Sequence, residues 1–238
     1  SLIAHVGDPH LVVYPRSCLK PMQAHAMVGL GLELPDDLLA VACASHAGTP
    51  VHLDAVRAIL ARYGLDDSKL RNAPAPALSD PNSQPSSLRQ NCSGKHAAML
   101  ATCVANGWPT EDYLEVEHPL QVAIASGFGH LGCVVHHIGV DGCGAPTHAL
   151  ALDELAGAYA RLVSTDAAVA RSMRANPLIV GGAEFDDTLW MRAVPGLMAK
   201  EGAAGMMVMA RADGRSAAFK IADGSALARQ AVIPEALR

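Results

Sequence analysis

The chain has 238 residues, half of them hydrophobic but only 4% aromatic, enough to bury one large core built mainly from Ala, Val, Leu and Met. A formal charge of -5 argues against nucleic acid or an anionic membrane as partner. No apolar run approaches the roughly 18–20 residues that cross a bilayer.

In chain order, β-branched alternation over Ser1–Val6 and Leu11–Tyr14 around Gly7-Asp8-Pro9 predicts an opening hairpin. Ser17 opens a helix that runs to Leu30. Asp36–Ala44 forms a second helix ending at Ser45-His46-Ala47-Gly48, and Leu53–Tyr63 a third, stopped by Gly64. Residues 72–93, rich in Pro and Ser, read as a long irregular segment of the kind that is functional or mobile. Helices follow at about 95–106 and 118–128, then a strand over Cys133–Val140 and a loop over Asp141–Thr147. Further helices are expected near 152–163 and 166–175. Met206–Arg211 and Ser216–Ile221, joined through Asp213-Gly214, make a β-hairpin, and a last helix begins near Ser225. The sum is one α+β domain over residues 1–238, with a helical central portion and an antiparallel sheet drawn from both chain ends.

Ser17 and Lys20 stand three apart at a helix start and therefore share a face. A lysine amine can take a serine proton only when burial or nearby positive charge lowers its pKa, and Arg16 is adjacent. The competing reading is Ser17 as a helix cap and Lys20 as a solvated side chain. Pro21 counts against it, because proline is poorly tolerated beyond a helix's first turn. Lysine is scarce, five against thirteen arginines, and Lys20, Lys95 and Lys220 all occupy suggestive settings. Arginine cannot deprotonate, so a position needing a base or an amine ligand requires lysine. Lys220 alternates with Phe219 and Ile221 on a strand; simple solvation of that face is the alternative.

Ser45 follows a helix and can offer its hydroxyl to a ligand or merely cap the turn. His46, His96 and His136-His137 are more often structural than ligating. Cys92 and Cys143 fall in tight, glycine-containing loops, Asn91–His96 and Asp141–Thr147. They can bind zinc, with Lys95 or His96 supplying nitrogen, or form a disulfide if the protein is exported. Cys18, Cys43, Cys103 and Cys133 read as small buried hydrophobes, and six cysteines without a dense disulfide framework point to a reducing, cytoplasmic setting. No Gly-x-Ser-x-Gly elbow, His-Glu-x-x-His pair or complete phosphate loop is present.

These stretches together resemble the asparaginase II family, the thermolabile, rhizobial-type L-asparaginases. The resemblance is carried by Arg16–Gln23, Cys43–His46, Asn91–His96, Glu117–Gln121, Asp141–Thr147, Lys200–Gly202 and Lys220–Gly224, in that order along the chain. It implies a fold similar to serine β-lactamases and penicillin-binding proteins, with both ends shortened relative to the family. It further implies Ser17 as nucleophile, Lys20 as its base, and Ser45 with Lys220 as a second Ser–Lys pair. Cys92, Lys95 and Cys143 would hold zinc beside the site. Arg16, His46, Asn91, Asp141 and Gly142 are expected to contact the substrate. The expected activity is hydrolysis of L-asparagine to aspartate and ammonia by a homodimer. A serine hydrolase of β-lactams or D-amino-acid peptides and a non-catalytic zinc-binding relative are the alternatives. No Lys-Thr-Gly or Ser-Asp-Asn triplet supports the first of these.

Overall fold

Proline placement explains where the helices begin. In the computed structural model, which describes residues 2–236, a 3-10 turn spans Arg16–Leu19 and α1 spans Lys20–Gly29. Pro21 thus lies in the first turn of α1, where its missing N–H would have had no partner anyway. Three more helices open on proline in the same way: α3 (Pro50–Arg62), α5 (Pro119–His130) and α8 (Pro177–Val180). Between them stand α2 (Asp36–Ala42) and α4 (Ser93–Asn106). The chain continues through α6 (Leu152–Ser164), α7 (Ala168–Ala175), α9 (Asp186–Ala193) and α10 (Ala226–Ala236).

Small residues set how closely the central helices approach. The α2 run Leu38–Ala42 is wholly buried, and Gly94 at the start of α4 sits directly on it. A Cβ on Gly94 would fall 2.2 Å from the Val41 carbonyl oxygen, so no larger residue fits without moving backbone. This packing delivers the first turn of α4 against the end of α2, bringing Lys95 and Cys92 towards Ser45.

Among the described residues the strands form two antiparallel three-stranded sheets, correcting the expectation of one sheet drawn from both chain ends. In the first, β3 (Pro146–Ala151) lies between β1 (Val12–Val13) and β2 (His137–Val140). In the second, β4 (Leu197–Gly202), β5 (Met206–Arg211) and β6 (Ser216–Lys220) follow as a meander. The opening hairpin does not form: residues 2–6 make no strand, and Val12 and Val13 pair instead with Ala151 and Leu150. The physical reason lies in β3, which is buried along its whole length and needs a partner on each edge. α6 packs on β5 and β6 and also touches β3, tying the sheets together.

The irregular segment before α4 is ordered by side-chain bonds. Asn72 Nδ2 donates to the Ser87 carbonyl at 2.7 Å and to Gln90 Oε1 at 3.0 Å, while Ser87 Oγ returns a bond to the Asn72 carbonyl. Isolated bridges join Ala75 to Ser86 and Ala77 to Asp80. The segment ends at Asn91 with its carbonyl facing the interior of the site.

Candidate active site

The turn bearing Ser17 is fixed from three directions. Arg16 adopts φ +56, a left-handed conformation uncommon for a side chain of this size. Its guanidinium meets Asp141 Oδ1 through Nε and Nη2, each at 2.6 Å. Cys18 donates its thiol to the Lys200 carbonyl on β4, and Tyr159 of α6 donates to the Cys18 carbonyl at 2.8 Å. Burial pushes the Cys18 thiol up to about 12, so it stays protonated and serves as an anchor. Ser17 itself is half-buried, and among the described residues its hydroxyl has no hydrogen-bond partner.

Lys20 is only 1% exposed, and its amine lies 2.7 Å from the Ala44 carbonyl, 3.4 Å from the Asn91 carbonyl and 3.0 Å from Ser45 Oγ. Burial holds its pKa below the ordinary lysine value, with the charges of Lys95 and Lys200 acting in the same direction and Cys92 opposing. A neutral amine has two N–H groups and one lone pair. When the two carbonyls take the N–H groups, the lone pair faces Ser45. The geometry therefore suits Lys20 to accept a proton from that hydroxyl.

Ser45 is placed by the segment after α2. The N–H groups of Ser45 and Ala47 donate to Val180 and Gly181, and that of His46 donates to the Asn91 carbonyl. Ser17, Ser45 and Asn91 line an open cleft of ≈ 320 Å³ together with Leu78, Phe185, Glu201 and Arg229. Asn91 Oδ1 is occupied by Gln90 and the Cys92 thiol, which leaves its amide N–H groups for a ligand.

The other sequence-derived candidates fall into three positions. His46 turns away from the cleft: its Nε2 is 2.8 Å from Ser93 Oγ, and its ring stacks on His52. Asp141 and Gly142 form the turn that holds Arg16, with the Gly142 N–H on Asp141 Oδ1. Burial works to raise the Asp141 carboxyl, but Lys95, the Gly142 N–H and Arg16 outweigh it and hold it below the carboxylate range. Arg16 and Asp141 are thus engaged with each other. Lys220 does not pair with Ser45. It is half-buried on β6, and its amine donates to the Ala204 carbonyl in the β4–β5 turn at 2.8 Å and to the Ile221 carbonyl just after β6 at 2.7 Å. Ser45 has Lys20 for its partner instead.

Cys92, Lys95 and Cys143 do come together. Lys95 Nζ donates to Cys143 Sγ at 3.2 Å, and Cys92 packs on Cys143 with Ala145 and Leu114 around them. A hydrogen bond from Cys143 pushes Cys92 well below the usual thiol value, Lys20 and Lys95 assisting, and the same bond pushes Cys143 up. Burial alone would lower Lys95, but Cys143, Cys92 and Asp141 outweigh it and raise its pKa. Both cysteines are free rather than disulfide-bonded. Among the described residues no group of three or more His, Cys, Asp or Glu side chains is placed to hold a metal. Any zinc here must therefore accept the Lys95 amine as a donor, and two soft sulfurs with one nitrogen do suit zinc.

Sequence reasoning missed the wall opposite these groups. At the end of β4, Lys200 makes a buried ion pair with Asp187 of α9. Beside it, Arg229 of α10 bridges Glu201 and Asp186. Gly202 lets this strand end approach the Ser17 turn, since a Cβ there would meet the Pro15 carbonyl oxygen at 2.5 Å and Cys18 Sγ at 3.0 Å. The only signal in the sequence was the Lys200-Glu201-Gly202 triplet, which the resemblance included without assigning a role.

A protein-family model described as L-asparaginase II matches residues 1–238. The chain belongs to the L-asparaginase II family. No curated protein matches it significantly. Membership in the L-asparaginase II family makes it an amidohydrolase of a small-molecule substrate. Among its described residues no helix is long and apolar enough to cross a membrane.

Three buried histidines give this amidohydrolase an acid limit. Burial, helped by the Lys95 charge, pushes His148 down to about 4, and burial likewise holds His46 and His96 well below the ordinary imidazole value. Among the described residues His148 Nδ1, His46 Nδ1 and His96 Nε2 have no hydrogen-bond partner. Below pH ~6.5 the unfolded chain binds protons that these native imidazoles refuse. Stability is then fully present above that pH and lost as the pH falls towards 4. Urea midpoints should drop between pH 7 and pH 5; a flat profile would refute buried, neutral imidazoles.

Proposed function

We propose that the protein hydrolyses the side-chain amide of L-asparagine to aspartate and ammonia, using a serine activated through Lys20. The observation that carries this is the buried, pKa-lowered Lys20 amine bonded to Ser45 Oγ in a cleft that Ser17 also lines. In this reading Ser17 Oγ forms the bond to the amide carbon and its proton reaches Lys20, with Ser45 as the intervening hydroxyl. Collapse of the adduct breaks the C–N bond, and the proton returns through the same pair to the departing ammonia. Water then cleaves the ester and frees aspartate. Proton transfer of this kind is worth ~10²–10⁴-fold in rate. The Asn91 amide, free towards the cleft, is suited to donate to the developing oxyanion. The likeness to serine β-lactamases and penicillin-binding proteins, the homodimer and the cytoplasmic setting belong to the same reading, and six buried, free cysteines accord with the last.

One observation favours a variant in which Ser45 is the nucleophile: it already lies 3.0 Å from the amine, whereas Ser17 has no partner. Ammonia release from L-asparagine, followed for the wild type, Ser17→Ala and Ser45→Ala, separates the two. Under the first reading Ser17→Ala forms no acyl adduct in rapid-quench mass spectrometry and Ser45→Ala still does, slowly. The reverse pattern assigns attack to Ser45. Turnover of a chromogenic β-lactam with none of asparagine would replace the substrate assignment.

Cys92, Lys95 and Cys143 are the residues that would hold zinc, and such an ion would supply a positive charge beside the Lys20 end of the cleft. Cys143→Ser is expected to lower zinc content, read by elemental analysis, and to raise KM for asparagine more than it lowers kcat. Unchanged zinc stoichiometry in that variant would eliminate this donor set.

A further inference from the structure

Glu201 and Lys200 are neighbours on β4 and point to opposite sides of the strand. Lys200 goes inward to Asp187, while Glu201 faces the cleft that holds Ser17 and Ser45. Its Oε2 accepts from Arg229 Nη2 at 2.9 Å. Its Oε1 has no partner among the described residues, and Glu201 is the one carboxylate side chain among the residues lining the cleft.

Arg229 does not need Glu201 to be satisfied. Its Nε and Nη2 both donate to Asp186 Oδ2, at 3.0 and 2.6 Å, and its Nη1 donates to the Met206 carbonyl at 3.0 Å. Asp186 is in turn held by Gln230 through Oδ1. The guanidinium is therefore fixed by the protein interior, and it in turn fixes the Glu201 carboxylate in one orientation.

The charges of this cluster do not balance. Asp186, Asp187 and Glu201 set three carboxylates against the two cations Lys200 and Arg229. Lys220, the next lysine along the chain, spends its amine on backbone carbonyls and forms no ion pair with them. Burial first, then the charge of Asp187, accordingly hold the Glu201 carboxyl above its usual value, and a cation from outside would offset both. An amino-acid substrate brings one, its α-ammonium, a few bonds from the amide that must reach the serines.

We propose that Glu201, oriented by Arg229, is the specificity residue that binds the α-ammonium group of the substrate. This rests on the amidohydrolase reading above and adds to it the recognition of a free amino acid. An amide lacking the α-amino group, or carrying it in a peptide bond, forfeits the ion pair and leaves the carboxylate uncompensated.

The test compares L-asparagine with succinamate, which has the same terminal amide and carboxylate but no α-amino group, on wild type and Glu201→Gln. Wild type should prefer asparagine. Glu201→Gln should lower kcat/KM for asparagine about 10- to 100-fold, chiefly through KM, the range a charged hydrogen bond carries. Its kcat/KM for succinamate should stay within about twofold of wild type, the scatter expected when no interaction is lost. Equal losses on both substrates, or no wild-type preference for asparagine, would overturn the assignment of Glu201 alone. If the wild type hydrolyses neither, the substrate reading falls and this one with it. Should Glu201→Gln fail to fold, Glu201→Asp keeps the charge but withdraws it from the cleft, and the same selective loss is required of it.

Discussion

Replacing Lys20 by methionine is expected to reduce asparagine turnover by ~10²–10⁴-fold, the contribution of a positioned general base, while the protein remains folded. Methionine fills the same buried channel but offers no lone pair to Ser45. The cost to the fold is confined to the Ala44 and Asn91 carbonyls, which lose an amine donor, and is about 1–2 kcal/mol. The pH profile provides a second reading. A base must be neutral to act, so activity rises with pH as Lys20 loses its proton. Because burial lowers that pKa, the rise comes below the ordinary lysine value of 10.5. The limb should vanish from the residual activity of Lys20→Met. A variant retaining more than a tenth of wild-type kcat/KM, or the same limb, would exclude Lys20 as the base.

The second large effect is on stability. Lys200 and Asp187 are both completely buried, and Asp187 Oδ1 also accepts the Thr188 N–H at 2.9 Å. Asp187→Ala leaves an ammonium group in the interior with no counter-charge, a loss of about 3–5 kcal/mol for a pair of this kind. Exchanging both partners for apolar side chains, as in Asp187→Leu with Lys200→Met, should recover most of it. Burial alone would lower the Lys200 pKa, but Asp187 and Glu201 outweigh it and raise it. The pair's contribution is accordingly complete below the unfolded lysine pKa and fades as the pH climbs through the folded one. Denaturant unfolding of the single and double variants measures both statements. An Asp187→Ala protein as stable as wild type would show that this carboxylate is not what keeps Lys200 charged.

What the sequence disclosed was what is local. Ser17 and Lys20 are one helical turn apart, so their shared origin could be read from spacing. Proline and glycine marked the ends of most helices, and Asp213-Gly214 marked the β5–β6 turn. The thiols of Cys92 and Cys143 stood out because they lie among small loop residues. The misses have physical causes. β3 is buried on both faces and shows no alternation, so Pro146 and Thr147 read as the end of a loop and 148–151 as no element at all. β4 follows its apolar start with Lys200 and Glu201, and no strand is read from that stretch of sequence. Lys220 had the residue type and strand setting of a site lysine, but carbonyls of the β4–β5 turn and of Ile221 hold its amine. Glu201, Asp187 and Arg229 acquire meaning only through contacts between segments distant in the chain.

The Ser17 turn also has a history within each molecule's synthesis. It is made early, yet its supports are Asp141, Tyr159 and the Lys200 carbonyl, and the Tyr159 bond alone spans 141 residues. Closing loops of that length costs entropy that only the finished contacts repay. A chain emerging from the ribosome therefore carries its serine and its amine long before anything holds them in register. The turn that holds the Ser17 hydroxyl is complete only when β4 has been made and folded against it.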